Sequence, residues 1–427
     1  MKILVLIANP CTNDARVIRE AEALAEAGHD VVVYAAWRPG LPAEETRGGV
    51  VYRRRPTRAL DAVQKLNADK TPQPANPENH PPARRWGLID LYMATRGATR
   101  WLRPLVRETI TSTTIELLRN AYYFRIAATE QPDVIHAHEL ATMLAGSRIA
   151  RQTGAKLVYD SHELETGRNG IWGTWELWLR GQAERWLIRR ADRVITVSDS
   201  IAEHMAKLYA IEAPTVILNA PAIEPKSTIT TSRSLRAQLG LHADASLAVY
   251  VGSLTRNRGL EQCVQSLCHA PEVHIAAVGP REPDIEAKLK TMAAELGVIE
   301  RFHLVDAVPH GEVTSFIGSA GVSLILIQDV CLSYRYCFPN KLLESLLAGI
   351  PVVAARLVEL RRMIERTGAG IVVDETDPRS IAQGIRAVLA ERSRFAPSAE
   401  TIRDIAETYG WQVQRRRLIE LYDGLAK

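Results

Sequence analysis

The sequence predicts an α/β protein of two doubly wound domains, and three observations support this prediction. The chain has 427 residues, which exceeds the length at which a single hydrophobic core keeps growing. Short, unbroken apolar segments alternate with amphipathic helical segments, a pattern typical of parallel sheets that helices cover on both faces. The alternation stops in a stretch rich in proline, serine and threonine at about 217–235, which is predicted to link the two domains.

The first domain is predicted to span residues 1–220. It begins with the strand KILVLI, the loop ANPCTN, a helix from about Asp14 to Ala27 and the strand DVVVYAA. Further strands are predicted at DVIHAH, KLVYDSH, RVITVS and TVILNA, with a helix at 140–152 after the first of these. Five or more such strands are enough for one doubly wound sheet.

Two stretches of the first domain break this alternation. Residues 71–82, TPQPANPENHPP, are too rich in proline for a helix or a strand and are predicted to form a loop. At about 83–125 arginines are mixed with tryptophan, leucine and methionine, which predicts a basic amphipathic helical insertion.

Tryptophan and arginine occur together again in the segment GRNGIWGTWELWLRGQAERWLIRR, for which a helix is predicted. Trp172, Trp175, Leu179 and Trp186 fall roughly on one side of that helix. Packing inside the first domain and contact with an anionic membrane both explain such a face. The membrane is favoured because the insertion carries the same pattern.

The second domain is predicted to span residues 221–397 and repeats the alternation. Its strands are predicted at LAVYVGSL, VHIAAVG, FHLVDA, VSLILI, PVVAA and GIVVDE, with helices between them. The last segment, 398–427, has helical character and no strand, and it is predicted to pack back towards the N-terminal domain.

Composition excludes several classes of protein. The hydrophobic fraction of 46% and the charged fraction of 24% are those of a folded globular chain. No apolar run is long enough to span a membrane, so that any membrane contact is expected to be peripheral, at the inner face. The net charge of +4 and the lack of zinc-finger spacing or an RNA-binding aromatic signature argue against binding of nucleic acid.

The cysteines form neither a CxxC pair nor an even-numbered set that could be joined completely in disulfides, which predicts reduced thiols in the cytoplasm. They are Cys11, Cys263, Cys268, Cys331 and Cys337.

The strongest chemical signal is the segment SYRYCFPNKLLESLLAGIPVVA, residues 333–354. Pro339 and Asn340 end an extended loop, and Asn340 is predicted to cap a helix that begins near Lys341. The free N–H groups and the positive dipole end of such a helix suit a diphosphate. Glu344, one turn further on, can accept hydrogen bonds from a ribose diol. An ordinary capped helix between two strands would also account for these residues.

This segment resembles the donor-binding signature of family 4 retaining glycosyltransferases, which have the GT-B fold of two Rossmann-like domains facing a cleft. That signature has two glutamates eight positions apart, the second opening a run like LEAMAxGxPVV. Glu344 matches the second, and the resemblance implies that it binds the donor ribose, with Pro339, Asn340, Lys341 and Leu342 also lining the donor site. Tyr336 stands at the first position, whose glutamate contacts the donor sugar in the family. A subset of these enzymes is similar in carrying SYRYxxPNKL there, so we interpret the change as subfamily character.

A second match is YVGSLTRNRGLEQ, residues 250–262. A strand ends at Gly252 and is followed by a loop that carries Arg256 and Arg258, where solvated arginines would also explain the pattern. In the resembled family, the pattern VGRLxxxKG supplies an arginine and a lysine to the donor diphosphate. Arg258 falls at the lysine position, and arginine can hold phosphate oxygens with two parallel bonds. Ser253 replaces the family arginine, and we expect Arg256 to compensate.

The opening segment NPCTNDARVIREAEALAEAGHDVVVYA is similar to the start of the same subfamily, whose loop after the first strand faces the cleft. Asn9, Asp14 and Arg16 are therefore predicted to bind the acceptor, because ligands sit at strand-end loops of doubly wound sheets. A plain helix-capping role for Asp14 stays open. Arg19 and Glu20 are predicted to lie on the surface of the helix.

Two strands end in the similar sequences HAHEL and DSHEL, residues 136–140 and 160–164. Histidine and carboxylate are common metal ligands. However, residues alternate faces along a strand and no closed set of four ligands is visible, so no metal site is predicted. The resemblance implies that His162 faces the sugar-transfer site as a catalytic residue. His138, Glu139 and Asp160 are predicted to contribute to acceptor binding.

The resemblance implies a retaining glycosyltransferase that moves a sugar from a nucleotide-diphosphate sugar, with UDP expected, to a hydroxyl acceptor. No cofactor is expected, and the setting is cell-surface polysaccharide, glycolipid or secondary-metabolite glycoside synthesis. Arg258 and Lys341 would stabilise the negative charge that develops on the leaving diphosphate. Two alternatives stay open: a nucleotide-sugar epimerase of the same fold, and a non-catalytic sugar-nucleotide-binding protein, motivated by Tyr336 and Ser253.

Overall fold

A computed structural model of the chain describes residues 1–54, 120–125, 128–168, 174–221 and 234–426. The predicted loop at 71–82 lies outside the described residues. So do most of the insertion predicted at about 83–125, of which 120–125 are described as helical, and most of the predicted linker.

The chain divides into two compact units. The first unit comprises Met1–Asp160 and Arg190–Asp192, and the second comprises Ser161–Arg189 and Arg193–Lys427. The domain boundary that the sequence places between residues 220 and 221 stays a prediction.

The elements of the first unit are β1 (Lys2–Leu6), α1 (Ala15–Glu26), β2 (Asp30–Tyr34), β3 (Glu44–Arg47), β4 (Val50–Arg53), β5 (Val134–His138), α2 (Leu140–Thr153) and β6 (Lys156–Asp160). The strands lie in the order β3-β4-β2-β1-β5-β6. Every strand pair recorded in this unit is parallel except β3 with β4. In the part of the unit that the structure describes, α1 connects β1 with β2, and α2 connects β5 with β6.

Strand β1 forms the centre of this sheet because it is apolar on both faces. Ile3 pairs with Val31 of β2 on one side and with Val134 of β5 on the other. Its apolar side chains are at most 1% exposed, as expected of a strand that helices cover on both sides. The strand order reverses at β1, so the loop after it opens where ligands of doubly wound sheets bind.

The second unit contains a long helix, a two-stranded parallel pair and a six-stranded parallel sheet. The elements up to the centre of the sheet are α3 (Thr174–Ile188), β7 (Arg193–Thr196), α4 (Asp199–Tyr209), β8 (Thr215–Val216), α5 (Leu235–Gln238), β9 (Ser246–Val251), α6 (Leu260–Ser266), β10 (Val273–Val278), α7 (Pro283–Glu295), β11 (Phe302–Val305) and α8 (Val313–Ile317).

The remaining elements of the second unit are β12 (Val322–Ile325), α9 (Leu332–Arg335), α10 (Asn340–Leu347), β13 (Val352–Ala354), α11 (Val358–Thr367), β14 (Gly370–Val372), α12 (Pro378–Ala390), α13 (Arg392–Phe395), α14 (Ala399–Tyr409) and α15 (Trp411–Asp423). The strands of the six-stranded sheet lie in the order β11-β10-β9-β12-β13-β14. This order reverses at β9, as in a doubly wound nucleotide-binding sheet. The predicted fold class is confirmed.

The C-terminal helices α14 and α15 belong to the second unit. The side chain of Gln414 in α15 accepts a hydrogen bond from the backbone N–H of Leu218 at 3.0 Å. Packing of 398–427 against the N-terminal domain stays a prediction. Every helix within the described ranges is too short or too polar to cross a membrane.

Candidate functional site

Strand β9 ends where the strand order of the second unit reverses, between β10 and β12. Ligands of open α/β sheets bind outside the carboxyl ends of the strands at such a point. Gly252 follows β9 with a φ of 125°, and a Cβ at this position would lie 3.3 Å from Nζ of Lys341. Glycine therefore both permits the backbone conformation and leaves room for the ammonium group.

Lys341 lies against the end of β9. Its Nζ is 4.0 Å from the ring centroid of Tyr250, and the Tyr250 hydroxyl donates a hydrogen bond to the carbonyl of Ser253 at 2.8 Å. Burial, and then the positive charge of Arg258, lower the pKa of Lys341 to about 7, while the charge of Glu344 opposes the shift. The ammonium is therefore held where its charge is disfavoured.

Arg258 is fixed by two contacts of its loop. Its guanidinium lies over the ring of Tyr334, 4.9 Å from the centroid. The next residue, Gly259, has a φ of 75°, and a Cβ there would lie 2.3 Å from the carbonyl oxygen of Leu326. The two sequence motifs of the second domain are therefore in contact, and each contributes one cation.

Helix α10 begins one residue earlier than the sequence predicts. Asn340 is its first residue, and Pro339 is the N-cap, with an extended backbone and no capping side chain. The prediction that Asn340 caps the helix is wrong, because proline fixes the extended φ from which the helix starts and can itself occupy the cap. The backbone N–H of Leu342 bonds the Pro339 carbonyl at 3.0 Å. Pro339 makes no side-chain cap hydrogen bond to the N–H groups of this first turn, which is the end of a helix where such groups lack intrahelical partners.

We call Gly252, Arg258, Lys341 and the first turn of α10 the cationic site. Within the described residues, neither Arg258 nor Lys341 forms a salt bridge with a carboxylate; each contacts an aromatic ring instead. Glu344 lies one turn into α10 and is 6% exposed. Two cations, a helix N-terminus and a missing Cβ are features that suit a bound diphosphate.

Arg256 lines a cavity of about 540 Å³ with residues of α6 and α7. The other lining residues are Asn257, Glu261, Gln262, Gln265, Asp284, Ile285, Lys288, Met292 and Gln328. A contact of Arg256 or Ser253 with the donor stays a prediction.

Tyr336, at the position of the family's sugar-contacting glutamate, is held by α4. Its backbone carbonyl accepts a hydrogen bond from the hydroxyl of Ser198 at 2.6 Å, and its ring lies 5.6 Å from that of His204. Ser198 also caps α4 by accepting from Ile201. Sequence reasoning missed both partners of Tyr336, although the cap was visible as serine before an acidic first turn.

A buried charge cluster lies in the first unit, made of Arg16, Glu20, His136, His138 and Asp160. Arg16 donates from Nε and Nη2 to the two carboxylate oxygens of Asp160, both at 2.8 Å. Nδ1 of His138 is 3.2 Å from Asp160, and Glu20 is 3.1 Å from Arg16. Each of the five side chains is at most 5% exposed. The prediction that Glu20 lies on the surface is wrong, because Arg16 draws it into the cluster.

The cluster holds four groups able to ligate a metal. Atoms of Glu20, His136, His138 and Asp160 all lie within 4.8 Å of one another. Arg16 already supplies the positive charge, since it binds both oxygens of Asp160. Burial raises the pKa of Glu20 well above its usual range, with Arg16 opposing and Asp160 reinforcing the shift. The protein's own charges therefore compensate one another here.

The loop after β1 is organised by side chains that were predicted to bind the acceptor. Asp14 caps α1 by accepting from the backbone of Val17 at 3.3 Å, which is the capping role left open above. Asn9 donates to Asp14 at 2.8 Å and accepts from the backbone of Cys11 at 2.8 Å. Glu139 has a φ of 62° at the end of β5. Acceptor contacts of these residues stay predictions.

Two family descriptions match consecutive parts of the chain. Residues 15–220 match the "Glycosyl transferase 4-like domain", and residues 231–407 match "Glycosyl transferases group 1". The chain belongs to the family 4 glycosyltransferases. The predicted activity, transfer of a sugar from a nucleotide sugar, is thereby confirmed.

Relatives of this family 4 glycosyltransferase carry consistent names. It is 26% identical over 312 residues to a D-inositol 3-phosphate glycosyltransferase of Catenulispora acidiphila, covering 68% of this chain and 72% of that protein. An uncharacterised glycosyltransferase of Methanocaldococcus jannaschii is 26% identical over 306 residues, covering 70% and 76%.

Solved structures share the fold of this family 4 glycosyltransferase. Sucrose-phosphate synthase from Thermosynechococcus elongatus superposes with a TM-score of 0.71 at 18% identity, covering 100% of this chain and 99% of that one. Anabaena HepE in complex with UDP gives a TM-score of 0.66 at 15% identity, covering 99% and 100%. The predicted GT-B fold is confirmed.

In this glycosyltransferase, helix α3 exposes an apolar face that we call the tryptophan face. Trp175 is 66% exposed, Trp178 58%, Leu179 40% and Trp186 54%. Their spacing places them on one side of the helix, and the rings of Trp175 and Trp178 stack at 6.4 Å. The predicted member Trp172 lies outside the described residues.

His162, the predicted catalytic histidine of this glycosyltransferase, lies in the second unit and is partly exposed. Its catalytic role stays a prediction. The structure brings together Arg258, Lys341 and Gly252 in one unit, and Arg16, His138 and Asp160 in the other.

Proposed function

We propose that this glycosyltransferase binds the diphosphate of a UDP-sugar at the cationic site and transfers the sugar, with retention, to a hydroxyl acceptor. The supporting observation is that Arg258 and Lys341 lie beside the start of α10 without a salt bridge to any carboxylate in the described chain. Both side chains are half-buried, and a cation that is withdrawn from water is stabilised by a negatively charged partner. A diphosphate supplies the missing negative charge.

The residues of the site have distinct roles in this proposal. Arg258 and Lys341 stabilise the charge that develops on the leaving diphosphate, and the N–H groups at the start of α10 add to that stabilisation. Glu344 accepts hydrogen bonds from the ribose diol. The acceptor oxygen bonds to the anomeric carbon on the face from which the diphosphate departs, while the bond from that carbon to the diphosphate oxygen breaks. The proton of the acceptor hydroxyl passes to this leaving oxygen, so the transfer needs neither an enzymatic nucleophile nor an enzymatic base.

UDP is the proposed nucleotide because the solved relatives are recorded with it. HepE is described in complex with UDP and with UDP-glucose, and an Escherichia coli relative is described with UDP-2-fluoro glucose. The proposed acceptor is a hydroxyl of a polysaccharide, a glycolipid or a secondary metabolite, bound near Asn9, Asp14 and His138.

The test is to incubate the purified protein with a panel of nucleotide sugars and a membrane extract, and to identify the products by mass spectrometry. Transfer should depend on one nucleotide sugar, and nuclear magnetic resonance should show the anomeric configuration of the donor in the product. An epimerised sugar nucleotide formed without acceptor would instead indicate an epimerase. Binding of UDP without turnover on any acceptor would indicate a binding protein.

We further propose that the tryptophan face rests on an anionic membrane surface at the cytoplasmic side. Exposed tryptophans with nearby arginines are typical of interfacial helices, and Arg185 and Arg189 lie on the same helix or directly after it. Vesicles containing phosphatidylglycerol should sediment the protein, and vesicles of phosphatidylcholine alone should not. The double variant W175A/W178A should lose this binding. L296A, which removes an exposed leucine at the C-terminal end of α7, should keep it. Equal sedimentation of all three proteins would refute the membrane proposal.

A further inference from the structure

Lys341 is an unusual lysine because its buried surroundings already contain a second cation. Its Nζ faces the Tyr250 ring at 4.0 Å and would touch any Cβ at position 252. It also lies in the first turn of α10, at the positive end of the helix dipole. The second cation and the helix N-terminus both disfavour an ammonium ion when no anion is bound.

Several charged or titratable side chains of the second unit face Lys341. Arg258 lowers its pKa, and Glu344 raises it by less than burial and Arg258 lower it. The neighbouring thiols are uncharged at neutral pH, since burial raises the pKa of both Cys263 and Cys337 to about 12. Burial also raises the pKa of Tyr250 above its usual range. The titratable groups facing Lys341 are therefore Arg258, Glu344, Cys263, Cys337 and Tyr250.

A bound diphosphate would reverse this balance. Its negative charges would lie between two cations and a helix N-terminus, where charge-assisted hydrogen bonds to an ammonium are strong. The empty site therefore favours the neutral amine, and the occupied site favours the ammonium ion. A ligand that prefers one protonation state must shift the protonation equilibrium towards it.

We propose that the cationic site takes up one proton, at Lys341, whenever a nucleoside diphosphate binds to it at mildly alkaline pH. The inference rests on the proposed function, because it takes the cationic site to be the diphosphate site. Because binding requires this proton, we expect the donor to bind more weakly as the pH rises. Proton uptake also delivers a fully charged ammonium to the diphosphate before the sugar is transferred.

Isothermal titration calorimetry with UDP tests the proposal. At about pH 8 the terminal phosphate of UDP is fully ionised, because its last pKa is near 6, so any proton taken up goes to the protein. The titration is done in Tris and in HEPES, whose ionisation enthalpies differ. We expect close to one proton taken up per UDP. We also expect the affinity of the wild type to fall about tenfold per pH unit above neutrality.

Two variants assign the proton. K341R keeps the positive charge but does not titrate in this range, so it should bind UDP with no proton uptake and with an affinity independent of pH. K290M removes an exposed lysine that pairs with Glu286 and should behave as the wild type does.

The results that would overturn the proposal are distinct from failure of the proposed function. UDP binding by the wild type without proton uptake, or with an affinity that does not change with pH, would overturn proton coupling and leave the donor site intact. Proton uptake by K341R equal to that of the wild type would assign the proton to another group and overturn the proposal. If neither UDP nor GDP nor ADP binds the wild type, both proposals fall together.

Discussion

The two units of this glycosyltransferase each hold a cluster of charged side chains, which is buried in the first unit and half-buried in the second. Only the first cluster is balanced. In the first unit, Arg16 binds both oxygens of Asp160 at 2.8 Å, and Glu20 lies within 3.1 Å of it. In the second unit, Arg258 and Lys341 face aromatic rings and have no carboxylate salt bridge within the described residues.

The difference supports the proposal that the first cluster is structural and that the cationic site binds a ligand. Burying an ion is expensive unless a partner compensates it. The first cluster contains its own partners, so removing one should damage the fold. The cationic site lacks them, so removing one cation should damage ligand binding and spare the fold.

The largest effect is expected from D160N in the first cluster. The variant leaves the buried guanidinium of Arg16 without its carboxylate, which typically costs about 3–5 kcal/mol. Urea unfolding of the purified protein measures this loss. The control is E44Q, which removes the partly exposed partner of Arg53 and should cost at most about 1 kcal/mol. A D160N variant as stable as E44Q would show that the first cluster is not a structural ion pair.

The next effect is expected from R258A and E344A in the second unit. Each should weaken UDP binding by about 1–3 kcal/mol, the usual contribution of hydrogen bonds to charged groups. Calorimetry measures the affinity. Thermal unfolding should show that R258A is as stable as the wild type, because the guanidinium that it removes forms no salt bridge with a carboxylate in the described residues. R356A, which removes an exposed partner of Asp374, is the matched control. Unchanged UDP affinity in both site variants would remove the assignment of the cationic site.

A smaller effect is expected from G252A. The new Cβ would lie 3.3 Å from Nζ of Lys341, and the φ of 125° is unfavourable for alanine. We expect a stability loss of about 1–2 kcal/mol together with weaker UDP binding. G240A, at another position of positive φ with open space around it, separates backbone strain from crowding of the site. Equal UDP affinity in G252A and G240A would contradict the role of Gly252 in leaving room at the site.

The sequence predicted the sheets and the cationic site for the same reason. Apolar runs such as KILVLI and LAVYV form buried parallel strands, and their carboxyl ends must meet at one edge. Arg258 lies in the loop after LAVYV, and Lys341 lies at the start of the helix between VSLILI and PVVAA. Motifs about 80 residues apart along the chain could therefore be assigned to one site.

The buried cluster of the first unit could not be predicted in the same way. Glu20 and Arg16 are four residues apart on a helix, a spacing that is usually a solvated surface pair. Their burial depends on Asp160, which is 144 residues from Arg16 in the chain, and no local pattern encodes that contact. The tie between Tyr336 and Ser198, separated by 138 residues, was missed for the same reason.

The last effect, expected from E20Q, appears only when the pH is changed. Burial raises the pKa of Glu20 above its usual value of about 4.5, so the folded protein holds a proton that the unfolded chain releases. Stability from this group is complete at acidic pH and is lost as the pH rises through the folded pKa. E20Q cannot ionise, and its free energy of unfolding should therefore fall less between about pH 5 and pH 8 than that of the wild type.

Urea unfolding across this pH range makes the comparison, with E26Q on the exposed side of the same helix as the control. Parallel curves for E20Q and the wild type would mean that Glu20 is ionised in the fold. Arg16 would then compensate two carboxylates, and the first cluster would carry a net negative charge of its own. Only a flatter curve for E20Q, with E26Q following the wild type, is consistent with a cluster in which Arg16 and Asp160 form the ion pair and Glu20 is neutral.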